Sequence, residues 1–522
     1  MSLFFKYWHT LKHLKLVQIR YRLYYVLKRC FLGRFQPKVV DHPSVISLKY
    51  SCPIQHNNSY LKQKGFIFLN VKHEFEGEID WNFKGHGKLW TYNLNYFDFL
   101  HQAAFSPENG VQLMSAFADQ YNQLIDGKES YPTSLRIMNW VAFIAKYNVK
   151  EDKLNQVIFY DLCRLSKNIE YHLLGNHLME NAFGLLFGSI FFQNADIYQK
   201  ASAILTIQLE EQVLDDGAHF ELSPMYHQII LSRLLSSIDL LKHNDVFEAK
   251  DLMELMITKA KLMLGWLAAI GFKNGTLPAV NDSTEGIAPS STALFDYAQK
   301  LGVVWDEAPL GASGYRKRST PLFELFVDFG NIGPDYIPGH AHSDTLNFLL
   351  NIRDQAVIVD TGISTYEKNS KRSAQRRTSA HNTVMVNNME QTDVWGGFRV
   401  GRRAKATIIA DEPSRLIASH NGYENWGITH ERSFEISDDT IVIKDSLTRP
   451  AEAKAFFHFE PSIEINLEGQ KIIGEFGSIL FENAAAINIE SYDLALGFNM
   501  TRKAKVAVIT FSIKLTTHIH IS

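Results

Sequence analysis

The segment Pro338, Gly339, His340, Ala341, His342, Ser343, Asp344 carries two imidazoles two residues apart, just ahead of an apparent strand, Leu346 to Ile352. In extended backbone, residues i and i+2 project to the same face, and a neighbouring glycine lets another backbone approach closely, so this spacing asks for a site. Farther along, Asp360 ends the run Val357 to Val359, and His381 stands directly before Asn382, Thr383 and Val384. Neighbouring strands that brought His342, Asp360 and His381 together would supply the two-imidazole, one-carboxylate set that suits Zn²⁺. The same residues also read as hydrogen-bonded polar groups at strand ends.

Two further clusters fall on helices. Gly175, Asn176, His177, Leu178, Met179, Glu180, Asn181 reads as a helix beginning near Asn176. Asn176 and Glu180 are then i and i+4, and His177 and Glu180 are i and i+3, so their polar groups share a face while Leu178, Phe183 and Leu185 pack elsewhere. Plain capping explains an Asn and a Glu at a helix start equally well. The second cluster is Ser223, Pro224, Met225, Tyr226, His227, Gln228. Serine then proline before a long apolar-periodic run predicts an N-cap with proline at the first helical position, placing Tyr226 in the first turn. Amphipathic packing with the hydroxyl in water is the ordinary use of such a tyrosine.

The elements around these clusters change character along the chain. From about Tyr92 to Lys300, apolar residues recur at helical spacing, as in Leu222 to Leu241 and Asp251 to Ala269, which predicts an all-α half. After Gly314, alternating or β-branched runs predict an all-β half: Phe323 to Phe329, Ala356 to Val359, Asn382 to Val386, Thr440 to Lys444, Ile463 to Leu467 and Lys505 to Leu515. Asn387 and Asn388, Asp438 and Asp439, and Gly474 and Gly477 read as turns of antiparallel hairpins in a sandwich. The switch falls near 301–320, giving a basic N-terminal segment over 1–40, a helical domain over 41–310 and a sandwich over 311–522. A cleft between two such domains is where an extended substrate would lie, collecting residues from both halves.

The composition is that of a globular protein: 522 residues, 46% hydrophobic and 21% charged, with enough apolar sequence for two large cores. A net charge of −3 excludes a whole-protein field that would concentrate nucleic acid, so any polyanion must be gripped locally. Cys30, Cys52 and Cys163 are too few and too far apart for a disulfide framework or a metal knuckle. No apolar run reaches the roughly 18 residues of a spanning helix, and a soluble protein is expected. Met1 to Val40 holds no Asp or Glu but carries Lys6, Lys12, Lys15, Arg20, Arg22, Lys28, Arg29, Arg34 and Lys38 among apolar and aromatic residues. Those basic residues interrupt the stretch too often for a signal peptide. Either an amphipathic helix on anionic lipid or a helical cap on the body fits it, the cap being the more ordinary reading.

Taken in order, Asn176/His177/Glu180, SPMYHQ, GHAHSD, VDTG and AHNTV resemble the heparinase II/III family of polysaccharide lyases, related to certain alginate lyases. LWTYNLNYF (Leu89 to Phe97) and SLRIMNW (Ser134 to Trp140) also look like that family's helical domain. The resemblance covers roughly residues 85–460. It implies an incomplete (α/α) toroid followed by an antiparallel β-sandwich, and β-elimination on a uronic-acid-containing acidic polysaccharide. It assigns neutralisation of the uronate carboxylate to the Asn176/His177 neighbourhood, where one preorganised donor is typically worth about 3 to 4 kcal/mol. Tyr226 and His340 become the base at C5 and the acid at the leaving oxygen, in an order left open. Glu180 matches a glutamate of the heparinase II branch, while Asn176 matches the asparagine of the heparinase III and alginate branches. By the same resemblance His342, Asp360 and His381 hold a structural zinc that steadies the strand carrying His340, and no organic cofactor is implied. Trp90, Tyr92, Asn93 and Arg136 become candidates for the sugar subsites, with core packing as their other reading.

One feature departs from a secreted degradative enzyme, since no export signal is recognisable. The expectation is a protein of the cytoplasm or cell envelope that trims a glycan made by the same cell, such as an exopolysaccharide, with peripheral membrane contact through the basic segment. Two other functions compete: a glycoside hydrolase using paired carboxylates such as Glu180 and Asp282, and a non-catalytic protein of glycan binding or assembly.

Overall fold

The computed structural model describes residues 3–31, 44–50 and 54–522, so Cys52, Arg34 and Lys38 lie outside the described residues. Two helices open the chain, α1 (Leu3–Leu11) and α2 (Leu16–Phe31), followed by a small antiparallel sheet over Tyr60–Glu74. The helical domain then runs α3 (Lys88–Tyr96), α4 (Pro107–Asp119), α5 (Ser130–Tyr147), α6 (Asp152–Ser166), α7 (Gly175–Phe191), α8 (Ala195–Gln212), α9 (Pro224–His243), α10 (Lys250–Ile270) and α11 (Ser291–Lys300). Local chemistry sets several starts. Ser106, Asn194, Ser223 and Ser290 each accept a backbone N–H in the first turn of their helix, and Pro107 and Pro224 sit where a missing N–H costs nothing. The apolar faces of these helices close on one continuous core that includes Trp90, Trp140, Phe183 and Leu234.

From Tyr315 onward the described residues are mostly antiparallel sheet. An eight-stranded sheet faces two four-stranded sheets, one of which contains Phe323–Asp328, Phe348–Ile352 and Gln355–Ile358. Strand Thr440–Leu447 shows why the layers pack: Ile441, Ile443 and Leu447 are buried on one face while Thr440, Val442 and Lys444 are not. The expected turns are present. Asn387 and Asn388 both have positive φ, Asp438 and Asp439 join Ile436 to Thr440, and Gly474 pairs with Gly477. A separate apolar seam of Trp266, Ile270, Phe272, Tyr315, Phe326 and Leu349 joins α10 to the first strands of the sandwich.

The N-terminal helices cap the body. Gln18 of α2 donates to the carbonyls of Leu173 and Tyr336, and Lys28 to that of Lys167. On α1, the Thr10 hydroxyl reaches the Val400 carbonyl at 2.9 Å, and Tyr7 meets Trp395 edge-on with ring centres 4.8 Å apart. A single strap thus touches both domains.

Candidate active site

The starts of α7 and α9 converge with the loops that carry Asp282 and His340. Gly175 opens α7 with φ +57°, and a Cβ there would come within 2.7 Å of Glu221 Oε1, so glycine is required by backbone and space together. Directly after it, Asn176 donates from its backbone N (3.1 Å) and from Nδ2 (2.8 Å) to the two oxygens of Glu221. Ser223 caps α9 by accepting from Tyr226 N, and its hydroxyl reaches the Asp282 carbonyl at 2.9 Å. The start of α9 is therefore tied to the Asp282 loop. That loop binds the histidine motif in turn, through Asp282 N to the His340 carbonyl and His342 N to Asn281 Oδ1, both at 3.1 Å.

His340 and His342 do project toward a common partner, although from a turn and loop rather than a strand. Asp282 Oδ2 lies 2.8 Å from His340 Nδ1, and Oδ1 lies 2.9 Å from His342 Nε2. Arg372, from the short helix α12 (Ser370–Gln375), grips the same carboxylate with both terminal nitrogens. Burial opposes a charge on Asp282, but Arg372 and the two imidazoles prevail and hold it well below the usual carboxylate range. An ionised Asp282 must accept from His340 Nδ1–H, leaving Nε2 as the ring's lone pair. Nε2 faces Asn176 Nδ2 at 3.5 Å and Glu221 Oε2 at 3.6 Å.

Tyr226 stacks obliquely on His340 with ring centres 4.0 Å apart, and its hydroxyl is 3.3 Å from that of Tyr366. Burial raises the Tyr226 phenol, against the opposing hydrogen bond from Tyr366, so the group is a proton donor at neutral pH. Tyr226, Tyr366 and His340 are all partly exposed, as a substrate site requires. His177 lies beside this cluster, packed on Tyr131, with Nδ1 3.3 Å from Glu170 Oε2. Burial alone would lower its basicity, yet Glu170 raises it overall toward the imidazolium.

The metal reading passes a test of fit. His381 Nδ1 lies 2.7 Å from Asp360 Oδ2, and His342 Nε2 is already held by Asp282, so a carboxylate fixes the tautomer of each ring. The opposite nitrogens, His342 Nδ1 and His381 Nε2, are buried without a hydrogen-bond partner, and so is Asp344 Oδ2. Ligand atoms of these three residues lie within 4.8 Å of one another. Carboxylate-backed imidazoles presenting a free nitrogen are what a divalent cation selects. The geometry groups Asp344 with the two histidines, whereas Asp360, expected as a ligand, stands behind His381. The Asp360 carboxylate is already engaged by His381, by Asn347 Nδ2 at 2.8 Å and by Gly362 N at 3.1 Å.

The fold sets the other expected residues in varied surroundings. Trp90 is fully buried, donating to the Val71 carbonyl at 3.0 Å among Phe68, His73 and Phe83, so it is core and not a sugar platform. Arg136 is 1% exposed and committed to Asp161 and to the Asn95 and Gly127 carbonyls, which leaves no donor for substrate. Tyr92 is half-buried against Lys88, and Asn93 donates to the Leu89 carbonyl in its own helix. Glu180 is fully buried and faces Arg233 at 3.4 Å. The paired-carboxylate hydrolase reading fails on the same geometry, because Asp282 is clamped, ionised and sealed from solvent. Glu221, Tyr366 and Arg372 stand outside the motifs that the sequence makes visible. Only Glu221, two residues before the Ser223 cap, stood close to a recognised motif.

With the geometry in place, the comparisons align with it. Residues 47–301 match the description Heparinase II/III N-terminus, and residues 303–521 match Heparinase II/III-like, C-terminal. A heparin-sulfate lyase of Bacteroides stercoris is 24% identical over 324 residues, 56% of this chain and 46% of that protein; the chain thus spans about half the length of the curated relative it matches. A solved heparinase III shares the fold with a TM-score of 0.66 at 14% identity, covering 97% of this chain and 91% of that one. The heparan sulfate lyase HepC mutant of Pedobacter heparinus gives 0.60 at 15% identity, covering 88% and 81%. Matched across both halves, with a helical toroid leading into an antiparallel sandwich, the chain belongs to the heparinase II/III family.

Proposed function

We propose that this protein is a polysaccharide lyase that cleaves an acidic, uronate-containing polysaccharide by β-elimination. The observation that carries the reading is His340, backed by ionised Asp282, presenting Nε2 beside a stacked and protonated Tyr226. His340 Nε2 takes the C5 proton, the C4–O bond breaks as the C4=C5 double bond forms, and the departing oxygen receives the Tyr226 proton. Positioned proton transfers of this kind are worth about 10² to 10⁴ in rate. The second negative charge pushed onto the uronate carboxylate falls to the Asn176 amide and the Glu170-backed His177. A relative named heparin-sulfate lyase supports a glycosaminoglycan-like substrate class.

His342, Asp344 and His381 would hold a zinc ion with Asp360 and Asp282 behind them. When bound, it would supply a rigid crosslink and no step of the chemistry. Asp282 would then join the metal ligand His342 to the base His340 through one carboxylate.

The test is ultraviolet absorbance in the conjugated-enoate band on a panel of uronate polysaccharides, with Tyr226→Phe alongside. A rise abolished by the substitution is expected. A substrate carrying an activated leaving group at C4 should restore turnover to Tyr226→Phe but not to His340→Ala. New reducing ends without the chromophore would defeat the lyase reading, and so would glycan binding with no turnover that both variants retain.

A further inference from the structure

We infer that α1 and α2 form a docking face for an anionic lipid bilayer. Leu16, Ile19, Leu23, Val26 and Leu27 recur along α2 at i, i+3, i+7, i+10 and i+11, which gathers them into an arc of about 100°. All five are exposed, Leu16 at 84% and Leu23 at 61%, and α1 adds Trp8 at 60% and Leu11 at 51%. The opposite face of α2 is the one that grips the body through Gln18, Tyr25 and Lys28. The apolar arc is therefore what remains after the cap has been formed, and a helix made only to cap would place polar residues there.

Charge selects the occupant. Residues 1–40 contain no acid, although the chain as a whole carries −3. Lys6 lies on α1, Lys12 directly follows its last residue, and Arg20 lies on α2, so all three accompany the apolar residues. A second copy docking through this face would set its basic residues against identical ones, with no carboxylate in the segment to pair them. An anionic bilayer answers both features, taking the apolar arc into the headgroup boundary and drawing the lysines and arginine to its surface, with Trp8 at the interfacial depth tryptophan prefers.

Docking there is coupled to the cleft. Tyr7 and Thr10 of α1 hold the strand pair Val394–Trp395 and Arg399–Val400, and between these strands Phe398 packs on Tyr366 with ring centres 5.2 Å apart. A bilayer seated on α1 and α2 therefore bears on the same strand pair that packs against Tyr366.

The experiment is co-sedimentation of the full chain with vesicles of phosphatidylcholine alone or with one third phosphatidylglycerol, at low and high salt. Pelleting with the anionic vesicles, about tenfold or more stronger than with neutral ones and weakened by salt, is expected. Leu23→Glu combined with Val26→Glu, and separately Lys12→Glu combined with Arg20→Glu, should each reduce that binding about tenfold with an unchanged melting temperature, since all four side chains face solvent. Several outcomes would overturn the inference: no pelleting with anionic vesicles, equal binding to both compositions, indifference to both double substitutions, or a dimer in light scattering that the Leu23/Val26 change abolishes in place of lipid binding.

Discussion

Asp282→Asn separates the proposed roles of this carboxylate better than any change to the histidines. Asp282 is fully buried and meets Arg372, His340 and His342 at once. The amide keeps the shape but removes the charge, leaving Arg372 a buried guanidinium without a counter-ion. Breaking one partner of such a pair costs about 3 to 5 kcal/mol, which for a domain of this size lowers the melting temperature by on the order of 10 °C. The effect on turnover should exceed what stability explains. Asn cannot hold the Nδ1–H tautomer as a carboxylate does, and His340 loses the anion that stabilises it once it has taken the C5 proton. A fall in kcat of about 10² to 10⁴, with KM little changed, is expected at a temperature where the variant is folded. The assay is initial-rate enoate absorbance beside a melting curve. If the variant melts lower but keeps wild-type kcat, Asp282 is a structural anchor only and the assignment of His340 Nε2 as base loses its support.

Two other perturbations probe the surrounding framework. Asp344→Asn should abolish bound zinc measured by mass spectrometry, whereas Asp360→Asn should weaken it by about 10- to 100-fold, as loss of a carboxylate behind a histidine ligand does; equal loss in both variants would return Asp360 to the ligand set. In the sandwich core, Asp445 is fully buried between His430 and Arg432, and although burial works against its charge, Arg432 first and then His430 lower its carboxyl to about 2. A depressed carboxylate contributes stability that is present above its ordinary range and lost as pH falls from about 4 to about 2, here about 2 kcal/mol. Unfolding measured across that window should show this part of the acid slope in the wild type and not in Asp445→Asn.

The architecture was legible because it rests on period. The α9 run at helical spacing with Ser223 and Pro224 ahead of it, and the alternation along Thr440–Leu447, are local patterns that tertiary contacts reinforce. The reading of α2 was legible only in part. Sequence showed an acid-free amphipathic segment, and both of its readings describe real faces of the helix: Gln18 and Lys28 point to the body while Leu23 points to solvent. The small sheet over Tyr60–Glu74 left no strong trace, since its strands are two to four residues long.

The site divides differently, and the division has a physical cause. His340, Tyr226 and Asn176 stand in motifs whose own spacing draws notice. What turns them into a catalytic arrangement comes from far along the chain: Asp282 reaches His340 across 58 positions, Arg372 reaches Asp282 across 90, and Tyr366 reaches Tyr226 across 140. No periodicity encodes a pairing of that range, because it is set by how the sandwich docks on the toroid through Trp266, Tyr315 and Phe326. The same limit bears on the subsite and metal readings. Trp90 and Arg136 have side chains suited to sugars, but type alone does not say which face of a helix meets the core, and here Val71 and Asp161 claim them. Asp360 and Asp344 are chemically equal as metal ligands. The hydrogen bond from His381 engages Asp360 while Asp344 Oδ2 is left without a partner, a difference set across 21 positions that no motif spacing carries.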